Sequence, residues 1–290
     1  SIFTMDLCNR SDIQALLARH GFHFSKSMGQ NFLIESWVPA QIADASGADA
    51  GMGVLEIGPG IGPLTQQLAQ RSGRVVSVEL DRRLLPVLAE TMAGFDNFTL
   101  VEGDAMKMDL RALTAEHFAG LRPILCANLP YNITTPFLTA CVRAGCFESL
   151  AVLMQKEVAE RLCAAPGTSA YGAFSVFMQY YTEPELLFAV PRECFEPQPK
   201  VTSAVLRAVV RREPPVEVED EKFFFRVVYA GFALRRKTLV TSLMTAFGSQ
   251  LTKEQITQAV TSCGLEANIR GERLGLSEFA VLSAEIAALL

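Results

Sequence analysis

Glu56-Ile57-Gly58-Pro59-Gly60-Ile61-Gly62 is the stretch on which the fold turns. It ends a short apolar run beginning at Gly53 and leads into Pro63-Leu64-Thr65, where proline sits in a tolerated first helical turn. A strand, closely spaced glycines and a helix start let a backbone approach a ligand and aim helix N-terminal amides at it. Outward from this loop, β-branched runs recur at 74–79, 98–101, 124–127 and 150–154, with helical patterns between them at 63–69, 84–92 and 136–144. The alternation predicts a mostly parallel sheet covered by helices, an α/β fold. Two helical stretches precede the sheet, one predicted to be capped by Ser11 and stopped by Gly21. An alternating strand is expected over 201–210. Beyond Pro214-Pro215 only helical patterns follow, at 223–232, 237–247, 253–263 and 278–289. We therefore expect one domain over 1–212 and a small all-α domain over 213–290.

Composition narrows the function classes. The 290 residues are 50% hydrophobic and 20% charged, an ordinary globular balance. Even the most apolar stretch, Phe223-Phe224-Phe225, is broken by Arg226, so a bilayer-spanning segment is excluded. The seven cysteines (Cys8, Cys126, Cys141, Cys146, Cys163, Cys194 and Cys263) form no Cys-x-x-Cys pair and fall largely in apolar contexts, which points to a reducing cytoplasm. With only His20, His23 and His117 beside them, no metal site is expected. Ser1-Ile2-Phe3-Thr4-Met5 has neither a signal-peptide nor a transit-peptide pattern, so no export is expected. The net charge of −5 argues weakly against nucleic acid, but its distribution argues the other way. Lys222, Arg226, Arg235, Arg236 and Lys237 follow one another with no acid between, just after Glu213, Glu217, Glu219, Asp220 and Glu221.

The chemistry lies at the strand ends. Glu79 closes the second strand, 21 positions after Gly58, and suits a ribose diol. To this point a nicotinamide dinucleotide and S-adenosylmethionine fit equally. Two features favour the latter. Gly103-Asp104-Ala105 closes the third strand, with a carboxylate able to accept from the exocyclic amine of an adenine. Asn128-Leu129-Pro130-Tyr131 ends the fourth, at the carboxyl edge where open α/β sheets bind ligands. A purine exocyclic amine is a poor nucleophile because its lone pair is delocalised, so methylating it requires acceptors that hold the nitrogen pyramidal. The Asn128 side-chain oxygen and the Leu129 carbonyl are such acceptors, Pro130 fixes the turn, and Tyr131 offers a face to the base. No histidine or lysine stands beside the loop as a hydride-transfer acid, which disfavours a dehydrogenase.

Taken together, Gly29-Gln30-Asn31-Phe32-Leu33, Glu56-Ile57-Gly58-Pro59-Gly60, Val78-Glu79-Leu80-Asp81, Gly103-Asp104-Ala105, Asn128-Leu129-Pro130-Tyr131-Asn132-Ile133, Gln155-Lys156-Glu157-Val158, Phe195-Glu196-Pro197-Gln198-Pro199-Lys200-Val201 and Arg235-Arg236-Lys237-Thr238 resemble the KsgA family of ribosomal RNA adenine dimethyltransferases over nearly the whole chain. The resemblance implies a Rossmann-like class I methyltransferase sheet with helices on both faces, followed by a C-terminal helical domain for rRNA contact. It implies that Asn31 and Leu33 line the methionine side of S-adenosylmethionine, Gly58 and Gly60 its backbone turn, Glu79 its ribose, and Asp104 and Ala105 its adenine. Asn128 would lie between cofactor and target amine, and Phe195 would pair with Tyr131 around a flipped adenine. The implied reaction adds two methyl groups to each of two adjacent adenines near the 3′ end of small-subunit rRNA, as naked rRNA or in an immature small subunit. Arg235, Arg236 and Lys237 would contact the RNA, and a monomer is expected. Two departures are the acidic net charge and Met28, which stands where many members carry an aromatic. The rivals are a related large-subunit rRNA adenine methyltransferase conferring antibiotic resistance and a non-catalytic RNA-binding or assembly factor. Leu129 and the Arg235-Arg236-Lys237-Thr238 helix disfavour the first, and the intact Gly58, Glu79, Asp104 and Asn128 the second.

Overall fold

Strand β2 (Met52–Ile57) is buried at every position, as a parallel strand covered on both faces must be. In the computed structural model, which describes residues 5–23 and 30–290, β2 is flanked by β3 (Arg74–Glu79) on one side and β5 (Arg122–Asn128) on the other. Sequence readings that fall on residues 1–4, Met28 and Gly29 lie outside the described residues. Beyond β3 comes β4 (Phe98–Glu102), and beyond β5 come β6 (Ser149–Gln155), β9 (Ser203–Val210) and β7 (Thr182–Val190), a seven-stranded sheet in the order β4-β3-β2-β5-β6-β9-β7. The first five run parallel and β9 is antiparallel to β6. Strand order reverses between β2 and β5, so right-handed crossovers place helices on both faces and open a crevice at the carboxyl ends of these strands; α4 (Leu85–Thr91), α5 (Leu110–His117) and α6 (Thr134–Ala144) lie in the connections between β3 and β6, and α7 (Lys156–Cys163) follows β6.

Two helices preceding the sheet take their places by amphipathic burial. In α1 (Arg10–Arg19), Ile13, Leu16 and Leu17 share one face and pack with Ile61 of the glycine loop. Its cap is Asn9, whose side chain accepts from the Asp12 amide, and not Ser11. α2 (Trp37–Ala45) and α3 (Pro63–Arg71) lay Val38, Ile42, Leu64 and Leu68 on Val54, Val75 and Ile124. A separate two-stranded ladder pairs β1 (Phe32–Leu33) with β8 (Phe195–Glu196), matching Leu33 to Phe195.

The chain divides into two units, Ser1–Ala159 with Glu185–Val210, and Glu160–Pro184 with Arg211–Leu290. Residues 160–184, which the sequence reading assigns to the first domain, therefore group with the C-terminal helices. Aromatic packing is the reason. Phe177 and Tyr180 of α8 (Ala173–Tyr181) lie 5.4 Å and 5.3 Å, ring to ring, from Phe225 of α9 (Glu221–Phe232). The Tyr171 hydroxyl donates to the Leu274 carbonyl at 2.7 Å. α10 (Leu239–Phe247), α11 (Lys253–Ser262) and α12 (Leu276–Leu289) complete this unit. Arg235, Arg236 and Lys237, expected at a helix, occupy the turn between α9 and α10. No helix among the described residues is long and apolar enough to cross a membrane.

Candidate active site

The loop after β2 is left-handed at Gly58 (φ +67°) and Gly60 (φ +61°), conformations costly for any side-chain-bearing residue. A Cβ on Gly60 would stand 2.9 Å from Gln30 Oε1, and one on Gly58 would meet only Pro130 Cδ, at 4.0 Å, intruding instead on the cavity the glycine lines. The loop is pinned by the Gly58 amide donating to the Val78 carbonyl at 2.9 Å. Beneath it, the buried Glu56 carboxylate accepts from the hydroxyls of Thr65 (2.5 Å) and Ser77 (2.7 Å). Burial pushes its carboxyl up to about 7.

Glu79, at the end of β3, accepts from the Gly60 amide (3.3 Å) and the Asp81 amide (3.0 Å). These bonds aim a mostly buried carboxylate at the crevice, and burial still leaves its carboxyl above the usual range. Leu80 beside it is 66% exposed, an apolar wall on the same cavity. Asn128 ends β5, Leu129 is buried, and Pro130 opens the turn that carries Tyr131. The Tyr131 hydroxyl is hydrogen-bonded to the Ser203 hydroxyl.

One cavity of about 520 Å³ collects Asn31, Gly58, Glu79, Asn128, Leu129, Pro130, Tyr131 and Phe195, together with Gln30 and Leu80. A smaller one of about 50 Å³ shares Gln30, Asn31, Gly58 and Asn128 with it and adds Leu33, Glu56 and Gly60. Asp104 and Ala105 line neither. Asp104 lies two residues beyond the end of β4, where its side chain accepts from the Met106 amide at 3.0 Å and caps a short turn. The residues present suit an adenosyl compound. The glycines leave room for it, the paired amides hold Glu79 as a hydroxyl acceptor, and Leu80 is an apolar surface for a ring. Gln30, Glu56, Leu80 and Ser203 have no role that the sequence alone suggests. Gln30, Glu56 and Leu80 stand within the quoted motifs, but the exposure of Leu80 and the long-range bond of Ser203 leave no local pattern.

A larger cavity, about 1050 Å³, lies in the second unit, between residues 213–221 and α12. It has no glycine loop or strand end, and Glu213, Glu217, Glu219, Asp220 and Glu221 all line it, so its field repels phosphate. Of the basic run, Arg226 donates to the Ala246 carbonyl (3.2 Å) and lies over the Phe247 ring at 4.6 Å. Arg235 donates to the Ser169 carbonyl (2.7 Å) and pairs with Glu272 at 3.5 Å. Lys222, Arg236 and Lys237 are exposed.

A family model described as ribosomal RNA adenine dimethylase matches residues 21–278. Ribosomal RNA small subunit methyltransferase A of Geobacillus thermodenitrificans is 47% identical over 281 residues, 96% of this chain and 96% of that one. The protein of the same description from Streptococcus gordonii is 47% identical over 282 residues, 96% of this chain and 97% of its own. Among solved structures, the 23S rRNA methyltransferase ErmE superposes with a TM-score of 0.67 at 26% identity, over 89% of this chain and 100% of its own. A dimethyladenosine transferase from Plasmodium falciparum has the same fold, with a TM-score of 0.73 at 22% identity over 89% of this chain and 98% of its own.

Proposed function

The chain belongs to the ribosomal RNA adenine dimethylase family, and from that premise we propose that it dimethylates the exocyclic 6-amino groups of two adjacent adenines near the 3′ end of small-subunit rRNA, using S-adenosylmethionine. The observation that carries the reading is the single cavity in which Glu79 and Gly58 adjoin Asn128, Leu129, Tyr131 and Phe195. Identities of 47% to proteins described as acting on the small subunit, against 26% to the 23S enzyme, favour the small-subunit substrate over the large.

S-adenosylmethionine, when bound, would supply a methyl group on a positively charged sulfur, whose C–S bond would break as the N–C bond forms, leaving the neutral thioether S-adenosylhomocysteine. Glu79 would accept from the ribose hydroxyls, Asn31 and Leu33 would line the methionine end, Gly58 and Gly60 would form the backbone turn beside it, and Asp104 with Ala105 would take the adenine edge. Tyr131 and Phe195 hold the flipped target base between their rings, which restricts its rotation and excludes water. Asn128 Oδ1 and the Leu129 carbonyl accept the two amine hydrogens, drawing the nitrogen lone pair out of conjugation and toward the incoming methyl. Positive charge then develops on nitrogen beside two preorganised oxygens. The alkylated amine is acidic enough to lose its proton to water, so no side chain need act as general base. After the first methyl one hydrogen remains, and the second transfer proceeds with one acceptor engaged. The exposed Arg236 and Lys237 contact RNA phosphates. The reading carries with it an assembling small ribosomal subunit as substrate particle, a monomeric enzyme that needs no metal, and the cytoplasm as its place of action.

The test is methyl transfer from labelled S-adenosylmethionine to undermethylated small-subunit particles, with the modified residues mapped. Two dimethylated adjacent adenines near the 3′ end are expected. Transfer to large-subunit rRNA alone would overturn the substrate assignment, and calorimetric binding of NADH in place of S-adenosylhomocysteine would overturn the cofactor.

A further inference from the structure

Resting on the reading that Tyr131 stacks on the target base, we propose that Ser203 is a positioning residue for that stack: its hydroxyl holds the Tyr131 ring at the spacing from Phe195 that one base requires. Tyr131 is half-buried at the start of a three-residue turn, a short element with little packing of its own to orient a ring. Its hydroxyl is hydrogen-bonded to that of Ser203, which lies 72 residues later in the chain. Ser203 is a firm anchor. It is fully buried, opens β9, and is paired in register with Gln155 of β6. The carbonyl of the preceding Thr202 accepts from the Lys156 amide at 3.0 Å, which fixes the strand end.

The geometry of a tyrosine explains what the bond does. Its oxygen lies on the axis of the ring, so a fixed partner there sets χ1, the direction in which the ring points. A phenolic O–H prefers the plane of its ring, so the same bond biases rotation about that axis, which is otherwise broad. The opposing aromatic, Phe195, belongs to the same segment of chain as Ser203. Phe195 is held by its pairing with Leu33, and the segment from there to Ser203 reaches across to Tyr131. Phe195, largely buried, and Tyr131 line the same cavity, so both rings are held before a base arrives and less ordering remains for the moment of binding.

Single-turnover methyl transfer to small-subunit particles with Ser203→Ala, Tyr131→Phe, the double variant and Tyr131→Ala tests this. Removing one hydrogen bond should lower kcat/KM about 2- to 10-fold. Tyr131→Phe keeps the ring and loses only the hydroxyl, so it should match Ser203→Ala, and the double variant should lose no more than either. Binding of S-adenosylhomocysteine should be unchanged in all of them. Additive losses would mean that Ser203 acts through the strand and not through the tyrosine, and would overturn the proposal. So would parental rates in Tyr131→Phe, a result obtainable even where Ser203→Ala fails to fold. Tyr131→Ala separates the two levels. A large loss there with no effect of Ser203→Ala leaves the stacking reading standing and removes the positioning role. A parental rate in Tyr131→Ala removes both.

Discussion

Glu56 sits under the glycine loop with two hydroxyls donating to it, and burial outweighs those bonds, pushing its carboxyl up to about 7. An acid held above its unfolded value binds more protons folded than unfolded between those two values, so stability falls as pH rises from about 4.5 to about 7 and stays low above. Glu56→Gln keeps the shape and removes the titration. It should equal the parent near pH 4 and exceed it at pH 8 by on the order of 3 kcal/mol, read as thermal unfolding at the two pH values. Parallel pH profiles would show that Glu56 is not the titrating group. In the same site, Asn128→Ala should slow single-turnover transfer about 10²- to 10³-fold, as loss of one preorganised polar partner does. Glu79→Ala should weaken binding of S-adenosylhomocysteine more than Asn128→Ala does. Asn128, Glu79 and Gly58 were legible because each stands where an apolar strand stops, a position the sequence marks twice, by pattern and by residue type. Leu80 and Ser203 were not, since exposure and a bond spanning 72 residues depend on the folded surface.

Elements were legible where their burial is one-sided or complete. β2 and β3 read as apolar runs because both of their faces are covered. β7 has no legible strand pattern because Pro184 and two glutamates interrupt it, which an edge strand tolerates and a central one does not. The cap of α1 lies two residues before the one the sequence suggests, because Asn9 and Ser11 are both good caps and only the bond to Asp12 decides between them. The turn between α9 and α10 separates bases by task. Arg235 ties that turn to Ser169 and Glu272, so Arg235→Ala should lower thermal stability. Arg236→Ala and Lys237→Ala should leave stability unchanged and reduce the log–log salt slope of RNA binding by about 0.7 to 0.9 for each phosphate no longer neutralised. An unaltered slope in the Arg236→Ala/Lys237→Ala double variant would take the turn out of the RNA interface. Close packing sets another limit in this unit: a Cβ on Gly271 would come within 2.3 Å of the Gly231 carbonyl oxygen in α9. Gly271→Ala should therefore cost about 1 to 3 kcal/mol in denaturant unfolding.

For the whole molecule, the question is what a chain cut between Arg212 and Glu213 would lose. The pattern break at Pro214-Pro215 makes that the natural place to cut, and the sheet strands all lie before it. Yet Glu160–Pro184 belongs with the helices that follow. Tyr180 and Phe177 pack on Phe224 and Phe225, Tyr171 packs edge-on to Phe232 and bonds to the Leu274 carbonyl, and Glu221 receives the hydroxyls of Tyr180 (3.1 Å) and Tyr181 (2.6 Å). A fragment ending at residue 212 keeps the α8-side member of each pair and discards the other. Each aromatic returned to water costs about 1.5 to 3 kcal/mol, a large share of what holds any domain folded. Such a fragment should bind a hydrophobic dye, unfold at lower temperature than the parent and tend to aggregate, even though every residue of the candidate active site is present in it. Within the full chain, Phe225→Ala should cost about 3 to 5 kcal/mol, with no dye binding well below its lower melting point. A 1–212 fragment that melts in one transition at the parental temperature, free of dye, would show that residues 160–184 draw their stability from the sheet, and that the cut at the proline pair is the true boundary.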